Sequence, residues 1–307
     1  MPKGTHSYIP DERNKNIIIY INGDFLSRNE AKISVFDSGF LLGDGVWEGI
    51  RLYNRRLCFI DEHLERLYYG AEKLKIEIEK TKEELIALIY ETINANGMDS
   101  GVHVRLIVSR GLKRTPYQHP NANVGGASIV IIPEYKKADV ALLSKGIRLC
   151  LVDTVRGAHN SQDPRLNTLS KLNCIFGCLE ADEKGFDEGI MLDMNGNVST
   201  CNSTNFFIVK NGDVWTSTGE YCLPGITRGN IIKLCRENHI PVFEKNFQIR
   251  DVYSADEVFV TGTFAGVIPA IQVDDSSVGN GNSGLLTEKL YNLYKSKIDT
   301  LYLGKLN

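Results

Sequence analysis

Three Asn-Gly pairs do most to limit what this chain can become. Asn22-Gly23 follows Ile17-Ile18-Ile19-Tyr20-Ile21, Asn195-Gly196 follows the apolar run after Glu188, and Asn211-Gly212 parts Asn205–Val209 from Val214-Trp215-Thr216. Such a pair tolerates the positive φ of tight turns whose twist matches two paired strands. Strands joined this way run antiparallel, so the expected frame is sheet and not a helical bundle.

More strands follow from alternation. In Val102–Ser109, Val102, Val104, Leu106 and Val108 share one face while His103, Arg105 and Ile107 share the other. Runs at Ser128–Ile132, Ile147–Val152, Glu257–Thr261 and Val267–Val273 read the same way. Helices interleave with them. Thr81-Lys82-Glu83-Glu84 is a capping box ahead of Leu85, Leu88, Ile89 and Ile93, with Gly97 as terminator. Asp61 is expected to cap a helix that turns Leu64, Leu67, Ala71 and Leu74 inward and leaves His63 and Arg66 elsewhere on its surface. From Asp163 to Val209 the order is loop, amphipathic helix (Leu172, Phe176, Leu179), strand, turn and second strand. Ile231, Ile232, Leu234 and Cys235 mark another helix, and Leu286 to about Leu303 a closing one. The class is therefore mixed α and β, α+β in arrangement. At 307 residues and 42% hydrophobic content, two domains are expected: 1–133, a polar linker 134–140, and 141–307.

Charge excludes some functions. With 24% charged residues, a net charge of −3 and no polybasic run, neither nucleic acid nor a membrane surface is expected as partner. The polar lead lacks the apolar core of a secretory signal. Seven cysteines contain no Cys-x-x-Cys, and Cys174 and Cys178 read as a packing pair on one helix, so no metal and a reducing, cytoplasmic setting are expected.

A few residues can carry chemistry. Gly225-Ile226-Thr227 opens a helix, and its free N–H groups either bind a phosphate or are capped by Thr227 in an ordinary loop. Thr261-Gly262-Thr263 offers two hydroxyls for the same task, or a plain turn. Arg105 within an apolar strand is costly unless it meets an anion. Arg66 reads from spacing alone as a solvated arginine. Lys171 has no acidic residue in its own turn, and a lysine in a first helical turn opposes the helix dipole.

Taken in order, Gly43-Asp44-Gly45-Val46-Trp47-Glu48-Gly49-Ile50-Arg51, Asp61-Glu62-His63-Leu64-Glu65-Arg66-Leu67, Asp187-Glu188-Gly189-Ile190, Ser203-Thr204-Asn205-Phe206-Phe207, Leu223-Pro224-Gly225-Ile226-Thr227-Arg228 and Thr261-Gly262-Thr263 resemble the class IV, fold-type IV aminotransferases, with the D-amino acid aminotransferase-like fold. The resemblance implies a homodimer with pyridoxal 5′-phosphate between the two domains, and amino acid and 2-oxo acid substrates. It implies that Arg66, Ile226, Thr227 and Thr263 hold the phosphate, that Asn205 lies beside the cofactor, and that Trp47, Arg105 and Arg114 face the substrate. Glu48–Tyr53 and Arg105 look more like branched-chain enzymes; Gly43-Asp44-Gly45 and the Arg110-Gly111 loop look more like D-specific transaminases and aminodeoxychorismate lyases. Two positions depart from the pattern. The family's lysine position is Asn167 here, and Lys171 follows four residues later, so a helical segment is expected to bring the amine round from the next turn. Thr200 stands where the family has a glutamate against the pyridine nitrogen, which implies a mostly unprotonated ring nitrogen and a weaker electron sink.

Overall fold

The structure is a computed structural model that describes residues 4–138 and 145–303. The described chain divides into two compact units. The smaller comprises Ile9–Lys137 and Leu166–Lys171, and the larger the remainder. Residues 139 and 140 of the expected linker lie outside the described residues. Pro133 to Tyr135 extend the strand that begins at Ser128.

In the smaller unit, β1 (Ile18–Ile21) and β2 (Asp24–Ser27) form the hairpin that Asn22-Gly23 turns, with φ of 50° and 111° at those two residues. A short α1 (Ser38–Leu42) leads into β3 (Gly45–Tyr53), the two-residue β4 (Arg56–Leu57) and helices α2 (Ile60–Lys73) and α3 (Lys82–Ala95). Then β5 (Val102–Ser109) and β6 (Ser128–Tyr135) complete an antiparallel sheet of order β2-β1-β6-β5-β3-β4. Its core joins Leu64, Leu67 and Ala71 of α2 and Leu85, Ile89 and Ile93 of α3 to Val102, Val104, Leu106 and Val108 of β5. The capping box at Thr81 and Glu84 is formed, and Gly97 ends α3 at φ 61°. Asp61 does not cap α2. Phe59, in the left-handed region at φ 52°, is the cap residue, and Asp61 sits one place inside, where its charge still suits the helix N-terminus.

The larger unit holds β7 (Ile147–Leu151), α4 (Leu172–Glu183), β8 (Glu188–Leu192), β9 (Val198–Cys201), β10 (Asn205–Lys210), β11 (Asp213–Thr216), α5 (Ile226–Glu237), β12 (Val242–Glu244), β13 (Glu257–Gly262), β14 (Gly266–Val273) and α6 (Leu285–Ile298). Its mixed sheet runs β9-β8-β7-β14-β13-β10-β11-β12, with Ser276–Ser277 added beside β14. Asn211-Gly212 turns as expected, with φ of 52° and 82°. At Asn195-Gly196 only the glycine is positive, because Asp193 Oδ1 accepts from the amides of Asn195 and Asn197 and builds a longer turn. The expected single second strand is two, β9 and β10, broken at Asn202–Thr204.

Helix α4 departs from its expected packing. Gly177 and Ala181 face the sheet, where a side chain at Gly177 would meet Met191 and Asn202 at 3.3–3.4 Å. Leu172, Ile175, Phe176 and Leu179 are instead 49–59% exposed, and Cys178, expected to pack, is exposed as well. Small residues let the helix sit close to the sheet, which turns its bulky stripe outward.

Leu64 has no exposed surface beneath β3. Leu64→Ala should lower stability by about 2–5 kcal/mol, read as an earlier urea midpoint.

Candidate active site

Alternation along β3 sorts its residues onto two faces. Val46, Glu48 and Ile50 point to the core and to α2, and Trp47 and Gly49 point the other way. Glu48 is therefore a carboxylate with no exposed surface. Its partners come from α2. Arg66 donates from Nε to Oε1 at 2.8 Å and from Nη2 to Oε2 at 2.7 Å, and His63 Nδ1 donates to Oε2 at 2.6 Å. Burial pushes the Glu48 pKa up, but the guanidinium and the imidazole outweigh it and hold the carboxyl below the usual range. His63, expected on the surface, is 1% exposed, because the buried carboxylate needs both partners. Its Nε2 is buried with no hydrogen-bond partner among the described residues.

On the opposite face, Arg105 pairs with Gly49 across the β3–β5 ladder, which sets it diagonal to Trp47. The guanidinium stacks on the indole with Cζ 3.7 Å from the ring centre. Burial lowers its pKa, and among the described residues its side chain forms no hydrogen bond or ion pair. Lys171 Nζ lies 5.4 Å from the same ring centre and donates to Asn167 Oδ1 at 3.1 Å. The segment between these two residues is not helical. Leu169 N donates to Gly45 O and Trp47 N to Asn167 O, so residues 167–169 run as an extended strap along the start of β3. Lys171 precedes α4 instead of opening its first turn, and its side chain folds back along the strap. The i, i+4 meeting expected of a helix is thus made by an extended segment and a flexible side chain.

In the larger unit, the break between β9 and β10 gathers the polar residues. Thr200 Oγ1 donates to Thr204 O at 2.6 Å, and Thr204 Oγ1 donates to buried Glu188 at 2.8 Å, which also accepts from Thr5. Asn205 Nδ2 donates to Leu223 O at 2.9 Å. Its Oδ1 lies 2.0 Å from where a Cβ on Gly225 would stand, so any side chain at 225 would displace Asn205. Gly225 is the N-cap of α5 and makes no side-chain cap, so Thr227 does not cap the helix as the ordinary-loop reading expects. The first amides of α5, those of Ile226 and Thr227, are left without that cover, an arrangement suited to an anion. Thr261 Oγ1, at the end of β13, is buried and unpartnered among the described residues, and Thr263 sits in the turn that follows.

The smaller unit therefore brings Trp47, Arg105 and Lys171 together and places Arg66 on the other side of β3. Arg114 stays apart, its side chain exposed on the loop after β5. Sequence reasoning missed the hydrogen bonds that Asn167 makes to Trp47 and the Glu48–His63 pair. A glutamate amid apolar strand residues, with His63 and Arg66 three apart on one helix, was the available signal for the second. No cluster of three or more His, Cys, Asp or Glu fit to hold a metal occurs among the described residues.

A family model described as "Amino-transferase class IV" matches residues 45–273. The chain belongs to the class IV aminotransferases. The branched-chain-amino-acid aminotransferase-like protein 2 of Arabidopsis thaliana is 35% identical over 291 residues, 95% of this chain and 52% of that relative. The chain thus spans about half the length of that protein. A Methanocaldococcus jannaschii relative named provisionally as a branched-chain-amino-acid aminotransferase is 37% identical over 278 residues, 90% of this chain and 95% of its own. Among solved structures, the branched-chain amino acid aminotransferase of Escherichia coli is similar at a TM-score of 0.86 and 29% identity, covering 94% of this chain and 95% of its own. An aminotransferase from Brucella abortus bound to the cofactor PLP is similar at a TM-score of 0.80 and 25% identity, covering 92% of this chain and 99% of its own. The class IV aminotransferase described here shares that fold-type IV architecture.

Because the folded-state value of Glu48 is depressed, its ion pair contributes stability above about pH 4.3, the ordinary glutamate value, and loses it as pH falls through the lower folded value. Glu48→Gln should cost about 3–5 kcal/mol at pH 7 by removing the buried negative charge that faces Arg66 and His63. It should also flatten the loss of stability on acidification, both read from urea unfolding across pH.

Proposed function

We propose that this chain is a transaminase that uses pyridoxal 5′-phosphate to move an amino group from an amino acid to a 2-oxo acid, with a branched-chain L-amino acid favoured as donor. The observation that carries this reading is Lys171, a primary amine drawn back onto position 167 beside Trp47 and Arg105. The donors present fit the cofactor. In the larger unit, the uncapped start of α5 with Ile226 and Thr227, together with Thr263, suits a dianionic phosphate, and Asn205 shapes that start through Gly225. In the smaller unit, Arg66 is proposed to add a guanidinium oriented by Glu48.

When bound, pyridoxal phosphate supplies the electron sink for carbon–hydrogen cleavage at the amino acid α-carbon. Lys171 Nζ would be the base that takes and holds that α-proton. Arg105, desolvated and stacked, binds the substrate carboxylate, with Trp47 lining the substrate and Arg114 adding charge from its exposed loop. Thr200 commits its proton to Thr204 O, so toward a cofactor ring nitrogen it would present lone pairs and no negative charge, and would support protonation there less than a carboxylate does. A D-specific transaminase or lyase is the alternative within the family. The substituted positions 167 and 200 favour, as a second reading, a ligand-binding relative without turnover.

The exposed stripe Leu172, Ile175, Phe176 and Leu179 supports a homodimer. The seven cysteines are free, which supports a reducing cytoplasm, and no helix among the described residues is long and apolar enough to cross a membrane.

Purified protein should show a cofactor absorbance band whose link to Lys171 is fixed by borohydride and absent in Lys171→Ala, with turnover reduced about 10²–10⁴-fold or more. Branched-chain L-amino acids should outperform D-amino acids with 2-oxoglutarate or pyruvate as acceptor. A protein that stays colourless with added pyridoxal phosphate overturns the enzyme reading. Phe176→Asp should convert a dimer to monomer in sedimentation velocity.

A further inference from the structure

Position 167 holds an asparagine that is 3% exposed and pinned at several points. Its backbone carbonyl accepts from Trp47 N at 3.0 Å, and the neighbouring Thr168 carbonyl accepts from Trp47 Nε1 at 3.1 Å. Its side-chain Nδ2 donates to Trp47 O at 2.6 Å. That bond decides which way the amide points, because a flipped amide would set two carbonyl oxygens against each other. Oδ1 is thereby turned to Lys171, and Nζ donates to it at 3.1 Å.

We propose that Asn167 is a positioning residue that holds the Lys171 amine at its working place, an inference that rests on the transaminase reading. A lysine stem is long and flexible, and without an anchor its amine samples many positions. The amide acceptor serves both states of that amine, since NH₂ and NH₃⁺ each donate to it and it adds no charge of its own. An aspartate in the same place would hold the ammonium form and leave less free amine at neutral pH. Trp47 ties the parts together: its backbone fixes Asn167, and its ring carries Arg105 on its face with Lys171 alongside.

The test measures Lys171 acylation against pH in the full chain without added cofactor, read by peptide mass spectrometry, for the unsubstituted protein and Asn167→Asp. Arg105 is present in both and cancels from the comparison. The labelling midpoint should rise by about one pH unit or more in Asn167→Asp, and in Asn167→Ala kcat should fall about tenfold while the donor KM holds. A midpoint unmoved in a folded Asn167→Asp protein overturns the inference. If neither variant folds, Asn167→Lys combined with Lys171→Ala decides. A borohydride-fixed cofactor link at position 167 supports one shared working place, and a folded double variant without it overturns the idea. A moved midpoint in a protein that never binds pyridoxal phosphate would sink the transaminase reading and leave the Asn167–Lys171 pairing standing.

Discussion

A carboxylate with no exposed surface governs the smaller unit. Glu48 lies on the core face of β3 among Val46, Ile50 and Leu52, where a lone charge is prohibitively costly. It is tolerated because α2 delivers His63 and Arg66 to its two oxygens. The pairing locks the register of α2 on the sheet and gives the Arg66 guanidinium one orientation. It also orders the other face: with Glu48 pointing inward, pleating sends Trp47 outward, to the indole that Arg105 and Lys171 share.

Within each unit, the candidate residues are shaped by shortages. Gly225 has no side chain, so Asn205 can press against it and leave the first amides of α5 uncovered. Position 200 has no carboxylate, and its hydroxyl is committed to a neighbouring carbonyl. Position 167 has no amine, and an amide there receives one from four residues on. Each shortage is local, and each is answered by the neighbour that tertiary structure supplies.

Much of the frame was legible beforehand. The Asn-Gly pairs at 22 and 211 turn two hairpins with positive φ at both residues, and the alternation of Val102 to Val108 names the core face of β5 correctly. The capping box at Thr81 starts α3. Misreadings arose where a distant partner overrode local pattern. His63 looked like a surface residue because its helix face is polar, yet Glu48 draws it inside. Asp61 looked like a cap because local chemistry allows it, but Phe59 turns the chain first. Phe176 looked buried because it is apolar, while Gly177 and Ala181 offered the closer approach to the sheet.

What the sequence determined by itself was periodicity, turn chemistry and the order of family landmarks, because these depend on residues close together in the chain. The meeting of Lys171 with Asn167 needed more. Four residues apart suggested a helix, whereas the contact is made along an extended strap fixed by hydrogen bonds to β3, some 120 residues away in the chain. Only the tertiary structure decided that, because backbone groups in such a strap take their partners from another part of the fold.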